Sequence, residues 1–448
     1  MSESLSYLSG FAAAHSSEVL EGAVPRRQNS PRRVAYGLHA EQLNGASFTV
    51  PRAQNHRTWL YRIRPSVVHG EFLPVEHGEF GLGYRETQPD PNLLGFRPRP
   101  LPGQGTGIDF VSSLSTIAGA GDPSAGAGLA VHGYACNVDM DDAAIYNADG
   151  DWMLIPDTGT LRITTELGVL RVSPGQIAVV QRGMVMSVAL EGGPVRGLVL
   201  EVYGRHFELP ERGVIGANGL ADSRHFESPV AAYEDREVPG GFRLLAKMGG
   251  RLFEAKRSHS PFDVVGWHGD YLPYRYDLSK FNAMGTVTWD HPDPSIFTVL
   301  TAPLDHPGEN LADLVVFPTT RWDVAEDTLR PPFYHRNRAT EFNTIITGPT
   351  SEDRVFSRGG YFYTPPFSAH GVASEAVDHY LRMSDEEANQ PRRVHGSSMW
   401  IQVESTLPLS FSPAALASTT RDPKFREFAS GARSYFEPTR RVVEFGED

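Results

Sequence analysis

The sequence predicts a mainly β protein of jelly-roll or barrel type, and three observations carry that prediction. Gly and Pro fill roughly a sixth of the chain (44 and 34 of 448 residues), where about an eighth is usual, and they fall every ten or so residues, the rhythm of short strands joined by turns. The apolar runs are short and alternate with polar residues. Helical periodicity is sparse. Along the chain, the first 110 residues are rich in Pro and Arg with weak periodicity, and are expected to wrap around other parts of the molecule or a neighbouring subunit. The Gly-rich stretch Gly119–Gly128 lacks the Gly-Lys-Ser/Thr ending of a phosphate loop and opens no helical pattern, so it reads as a tight loop. From Thr160, Leu161 and Ile163 alternate with Arg162 and Thr164, Gly168 and Pro174-Gly175 mark turns, and Val169–Val172 and Ile177–Val180 resume the strand pattern. Similar runs occur at Leu198–Val202, Val264–Trp267, Ile296–Leu300, Leu314–Phe317 and Met399–Val403. Only Glu375–Asn389 and the stretch near Phe425–Tyr435 carry a helical period. Two differently equipped β segments place a boundary near Lys280, giving a metal-free N-terminal domain, 1–280, and a smaller C-terminal domain, 281–448.

Composition narrows the function classes. With 41 Lys and Arg against 54 Asp and Glu, the net charge is −13 and no long like-charge run interrupts it, which disfavours nucleic acid or an anionic membrane as partner. Cys136 is the single cysteine, so an intrachain disulfide and a Cys-rich metal site are excluded. The N-terminus lacks the basic start and apolar stretch of a secretory signal, and no run of about 18 apolar residues exists for a spanning helix. A soluble protein of a reducing, cytoplasmic compartment is expected.

The segment Pro331–Gly348 is where chemistry concentrates. His335 and Glu341 are six apart, an even number, so on extended chain both side chains project from one face. Downstream come Gly359, Pro365 and His370. Two imidazoles and one carboxylate can occupy one triangular face of a metal and leave other positions open, the ligand set of non-haem ferrous oxygenases. The spacing resembles the two motifs of the cupin superfamily. The first runs His335-x-Asn337-x3-Glu341-x6-Gly348, with asparagine where many cupins have a second histidine. The second runs Gly359-x5-Pro365-x4-His370, with Phe367 where glycine is usual. A nucleophile elbow of Gly-x-Ser-x-Gly type is absent.

The stretch Gly159–Gly183 has a cupin-like strand rhythm of its own, yet carries Gln181-Arg182 where a ligand histidine would follow, and reads as a metal-free sister unit with a structural role. The aromatics between Trp267 and Tyr276 either bind a planar ligand or, more commonly for such clusters, pack a core or an interface.

Over nearly its whole length the chain resembles the homogentisate 1,2-dioxygenase family. The matching words include Tyr7-Leu-Ser-Gly-Phe11, Trp59-Leu-Tyr-Arg-Ile63, Ile215-Gly-Ala-Asn-Gly-Leu-Ala221, Asp293-Pro-Ser-Ile-Phe297 with the run to Ala302, and Arg330-Pro-Pro-Phe-Tyr-His-Arg-Asn337. The resemblance implies a β-rich N-terminal domain, a smaller cupin-type C-terminal domain and a hexamer built as a dimer of trimers. It implies ferrous iron held by His335, Glu341 and His370, a small aromatic substrate and O2. His291, within Trp289-Asp-His-Pro-Asp293, takes the family's histidine that hydrogen-bonds the substrate phenol and acts as acid and base.

Some positions that face the substrate in the family differ here. Thr350 replaces a tyrosine that bonds the substrate carboxylate, and Thr364 replaces a histidine. Phe333 stands where a tyrosine neighbours the first ligand, and Gly371-Val-Ala373 replaces a Gly-Pro-Asp. Losing a hydrogen bond to a charged group costs about 1.5–3 kcal/mol. The expectation is retained ring-cleaving chemistry, with homogentisate to maleylacetoacetate as the reference reaction, or the same chemistry on another substituted phenol or aminophenol. A zinc or manganese cupin isomerase or hydrolase and a non-enzymatic bicupin are the rival readings.

Overall fold

A computed structural model describes residues 5–284, 287–304, 306, 308–394, 396–432, 434–436 and 438–439. The strands that frame it are β1 (Leu94–Phe96), β2 (Ser115–Asp122), β3 (Ala127–Cys136), β4 (Gly150–Thr165), β5 (Gly168–Val172), β6 (Gln176–Val180), β7 (Met186–Tyr203), β8 (Thr298–Pro303), β9 (Asn310–Phe317), β10 (Thr340–Thr347), β11 (Tyr361–Thr364) and β12 (Met399–Ser405). The expected alternation holds in β4, where Leu161 and Ile163 are fully buried and lie opposite Val172 and Leu170 of β5, while Arg162 and Thr164 face partly outward. The Pro174-Gly175 turn then feeds β6 back along the other end of β4, with Gly175 at φ +89°. β4 and β7 run antiparallel from the Gly150–Tyr203 pair to the Thr165–Met186 pair and form the spine of a large sheet, of 14 strands among the described residues.

A second sheet, in the order β8-β9-β12-β10-β11-β1, carries the C-terminal chemistry. Its last strand comes from the N-terminal 110 residues, so that arm does wrap around another part of the molecule. Ser410–Phe411 returns the exchange by pairing with β2. One continuous apolar cluster joins the sheets, with Met153, Ile155 and Leu200 from the large sheet and Leu314, Phe342 and Ile401 from the second. Burial of this kind, about 25 cal/mol per Å2 of apolar surface, is the main term holding the two together.

The Gly119–Gly128 segment is not an open loop. It is the closed end of the β2–β3 hairpin, and only Pro123–Ala125 forms a turn of 3-10 helix. The aromatics after Trp267 pack the core: Trp267 and Tyr276 are fully buried, and Tyr274 meets Phe11 and Phe226 edge to face. Glu375–Asn389 divides into α1 (Ser374–Leu381) and α2 (Asp385–Ala388). Of the stretch 425–435, Glu427–Ser430 forms one helical turn, and Arg433 lies outside the described residues. Among the described residues no helix is long and apolar enough to cross a membrane.

Candidate metal centre

His335 and Glu341 do converge, but not for the reason their spacing suggested. The chain between them is not continuously extended: it bends at 338–339, and only Glu341 lies in β10. His335 is fixed instead by a two-way backbone bridge to His370, its N–H 2.9 Å from the His370 carbonyl and the reverse bond at 3.1 Å. That pairing sets the imidazoles 4.1 Å apart between ring centres. The bend then brings the start of β10 up to them, with Glu341 Oε1 3.2 Å from His370 Nε2. One ligating atom from each of the three residues lies within 4.8 Å of the others. Small side-chain adjustments let all three reach one ion at bonds of about 2.1 Å.

The surrounding bonds orient this set. His335 Nδ1 donates to the Phe333 carbonyl at 2.8 Å and His370 Nδ1 to the Ser368 carbonyl at 2.9 Å. With the proton held on Nδ1, each Nε2 is left with its lone pair, the tautomer a metal needs. His370 Nε2 is buried and makes no well-directed hydrogen bond despite the nearby carboxylate, as expected when two acceptors aim at a common point rather than at each other. Asn337 Nδ2 donates to Glu341 Oε1 at 2.8 Å, so the asparagine that departs from the motif holds the carboxylate ligand. Burial disfavours the charge on Glu341, but His370 and Asn337 outweigh it and lower its pKa; in return Glu341 raises that of the half-buried His370. The residues present thus suit a divalent ion.

The motif glycines have local causes. Gly348 ends β10 at φ +128°, where a Cβ would fall 2.6 Å from Ser398 Oγ, and Gly359 sits at φ +84° against the Arg196 guanidinium. Phe367 keeps the backbone its position demands, φ +57°, without being glycine, which costs about 1–2 kcal/mol.

Thr364 is buried on β11 directly opposite Glu341, so both side chains share one face. His291 donates from Nε2 to the Leu329 carbonyl at 2.8 Å, and its ring meets Phe333 at 5.5 Å; Phe333 in turn lies 5.5 Å from the His335 ring. Thr350 is not brought to the group. It is exposed beyond the far end of β10, where the six steps of strand from Glu341 to Thr347 already span about 20 Å. Arg338 is exposed and paired with Glu309 at 2.6 Å, so it supplies no replacement.

One residue escaped the sequence reading. Glu404 on β12 lies opposite Glu341 on one side and Asp313 of β9 on the other, completing a row that runs Thr301, Asp313, Glu404, Glu341, Thr364 across five strands. Burial, then the Glu341 and Asp313 charges, push its pKa up to about 7. The signal was there in β12, where Gln402 and Glu404 take the face opposite Met399, Ile401 and Val403.

A mainly β fold whose 14-stranded and six-stranded sheets share one core, and which gathers two imidazole nitrogens and a carboxylate within 4.8 Å, is of cupin, jelly-roll type with a site that could hold one metal ion. Comparison with known proteins narrows the class. The family model described as homogentisate 1,2-dioxygenase N-terminal matches residues 6–278, and the one described as homogentisate 1,2-dioxygenase C-terminal matches 279–436. The homogentisate 1,2-dioxygenase of Caenorhabditis elegans is 45% identical over 92% of this chain and 93% of its own, and that of Homo sapiens 43% identical over 98% of each. The one from Oryza sativa is 45% identical over 96% of this chain and 92% of its own. The chain belongs to the homogentisate 1,2-dioxygenase family.

Proposed function

We propose that the protein is an iron-dependent dioxygenase that opens the ring of a hydroquinone-type phenol, with homogentisate to maleylacetoacetate as its reference reaction. The observation that carries this is the convergence of His335, Glu341 and His370 in a chain of this family. Ferrous iron held by these three would supply a Lewis acid and a redox partner for dioxygen on its open side. His335 and His370 keep their Nε2 lone pairs directed inward because both Nδ1 protons are tied to carbonyls. Asn337 stops the Glu341 carboxylate from rotating away. His291 has its Nε2–H committed to Leu329, so Nδ1 is the atom that takes the phenolic proton. Phe333 stands between His291 and His335 and sets the gap a flat ring enters.

Thr364 favours a second reading, the same chemistry on another substituted phenol or aminophenol. It places a short neutral hydroxyl beside Glu341 at the position where the family resemblance implies an imidazole. Assembly as a hexamer, a dimer of trimers, goes with either reading, and the lone buried Cys136 suits a reducing, cytoplasmic compartment. The test is oxygen uptake by the iron-loaded protein with substituted hydroquinones and aminophenols, with and without a carboxylate arm. Uptake confined to homogentisate upholds the reference reaction, and uptake with arm-less rings upholds the second reading. No oxygen consumption with any ring overturns both.

A further inference from the structure

β10 divides its side chains between two faces. Phe342 and Ile346 enter the apolar core shared with the large sheet, so Glu341 and Asn343 point the other way, to the side where the three donors gather. Two residues of strand separate them, about 7 Å. Across the ladder Thr364 lies opposite Glu341, and Gln402 of β12 lies opposite Asn343. The carboxylate ligand is thus bordered on its own face by short neutral polar groups.

Those groups are unmet. Asn343 and Thr364 are each only 3% exposed, yet neither side chain makes a hydrogen bond among the described residues. Both keep some polar surface open, unlike Asp313 Oδ1 and Thr301 Oγ1 farther along the row, which are sealed in without partners. Gln402 gives its amide to Glu404 at 2.6 Å. A buried amide or hydroxyl without a partner is costly, so this one edge of the centre is built to receive a polar group.

Charge selects which group. Glu341, Glu404 and Asp313 stand in one row of this face. The cations nearest along the chain are committed or turned away. Arg338 is exposed and paired with Glu309, and Arg336 is exposed between two residues that face the centre. Arg330 donates to the Ala325 and Gln390 carbonyls, and Arg321 stacks on Phe297. A carboxylate here would sit among like charges. It also only accepts hydrogen bonds, and would leave the Asn343 carbonyl unmet.

We infer that the ring taken at this centre carries an uncharged arm that both donates and accepts hydrogen bonds, of carboxamide type, and that Asn343 and Thr364 select it over a carboxylate. This rests on the second reading above, ring-cleaving chemistry on a phenol other than homogentisate, and names the substituent that sets that phenol apart.

Anaerobic isothermal titration of the ferrous-loaded, full-length protein tests it, because binding is then read without turnover. The primary amide of homogentisate is expected to bind about tenfold or more tightly than homogentisate. Asn343→Leu removes no hydrogen bond made within the protein, so it keeps the fold. It is expected to lower the affinity ratio of the amide to methylhydroquinone, which has no polar arm, by about tenfold. Thr364→Val, an isosteric change, is expected to lower that ratio about threefold and gives a second reading of the same edge. Homogentisate bound as tightly as its amide overturns the inference. So does a ratio that both variants leave untouched, or an amide that does not bind saturably. Oxygen uptake by the same preparations separates this result from the activity. Uptake with homogentisate and no preference for the amide removes the inference and leaves ring cleavage standing. Preference for the amide with no uptake from any ring upholds the selection by Asn343 and overturns the activity.

Discussion

At the scale of single residues, the donors of the candidate centre differ in what else they do, and this separates their mutants. His335 is held by its backbone bridge and by the Phe333 carbonyl, so His335→Ala removes a ligand while the bridge to His370 stays. Glu341→Ala also strands Asn337. Both variants are expected to fold, and both to lose most of their iron by elemental analysis. His291→Ala touches none of the three donors and is expected to retain iron while losing about 10²–10⁴-fold in kcat/KM; an unchanged rate would remove it from the proton's path. The raised pKa of His370 also fixes the sign of a pH effect. As pH falls through that pKa, a proton occupies the Nε2 lone pair in competition with the metal, so iron affinity is expected to fall on acidification and recover above it, as a ferrous-ion titration at stepped pH would record. Phe367→Gly relieves a left-handed backbone but adds freedom to the unfolded chain, for a net gain of about 0.5 kcal/mol in urea unfolding.

At the scale of elements, His132 of β3 and Glu201 of β7 join Asp149 and Lys247 in a buried charge cluster within the large sheet. Glu201 accepts from Lys247 Nζ at 2.7 Å and from His132 Nε2 at 2.9 Å, and Lys247 also reaches Asp149 at 2.7 Å. Burial alone would raise the Glu201 pKa, but Lys247 and His132 hold it down at about 2. A carboxyl depressed in the folded state stabilises above its unfolded pKa, near 4.5, and that contribution is lost as pH falls from there toward 2. Lys247→Met takes the shared cation from two buried carboxylates and is expected to destabilise by about 3–5 kcal/mol at neutral pH, read from the urea midpoint. The same scale shows what was legible in the sequence. The period-two pattern of β4 to β6 and the turns at Gly168 and Pro174-Gly175 follow from local rules, and so do Gly348 and Gly359, whose positive φ only the right residue tolerates cheaply. Register does not follow from local rules. It decides that Thr364 and Glu404 flank Glu341 while Thr350 is carried away, and it depends on which distant strands pair. The His335–His370 bridge is likewise a contact between segments 35 residues apart, so even spacing pointed to the right residues by a route the chain does not take.

At the scale of the whole molecule, the exchange of β1 and Ser410–Phe411 between the sheets makes the two halves one cooperative object, and the apolar cluster across them should unfold as a unit. Phe333, Tyr334 and Phe367 remain exposed beside His335 and His370, an aromatic surface of the kind that marks binding or assembly. The proposed hexamer is checked by light scattering on the eluting protein, with a mass six times the 49.3 kDa chain expected and a monomer contradicting it. The most direct measurement of the central claim is the metal content of the purified, ferrous-loaded protein beside its His335→Ala, Glu341→Ala and His370→Ala variants. About one iron per chain in the parent and a large loss in all three variants is the predicted result; full retention in any one of them would show that the residue is not a ligand and contradict the account.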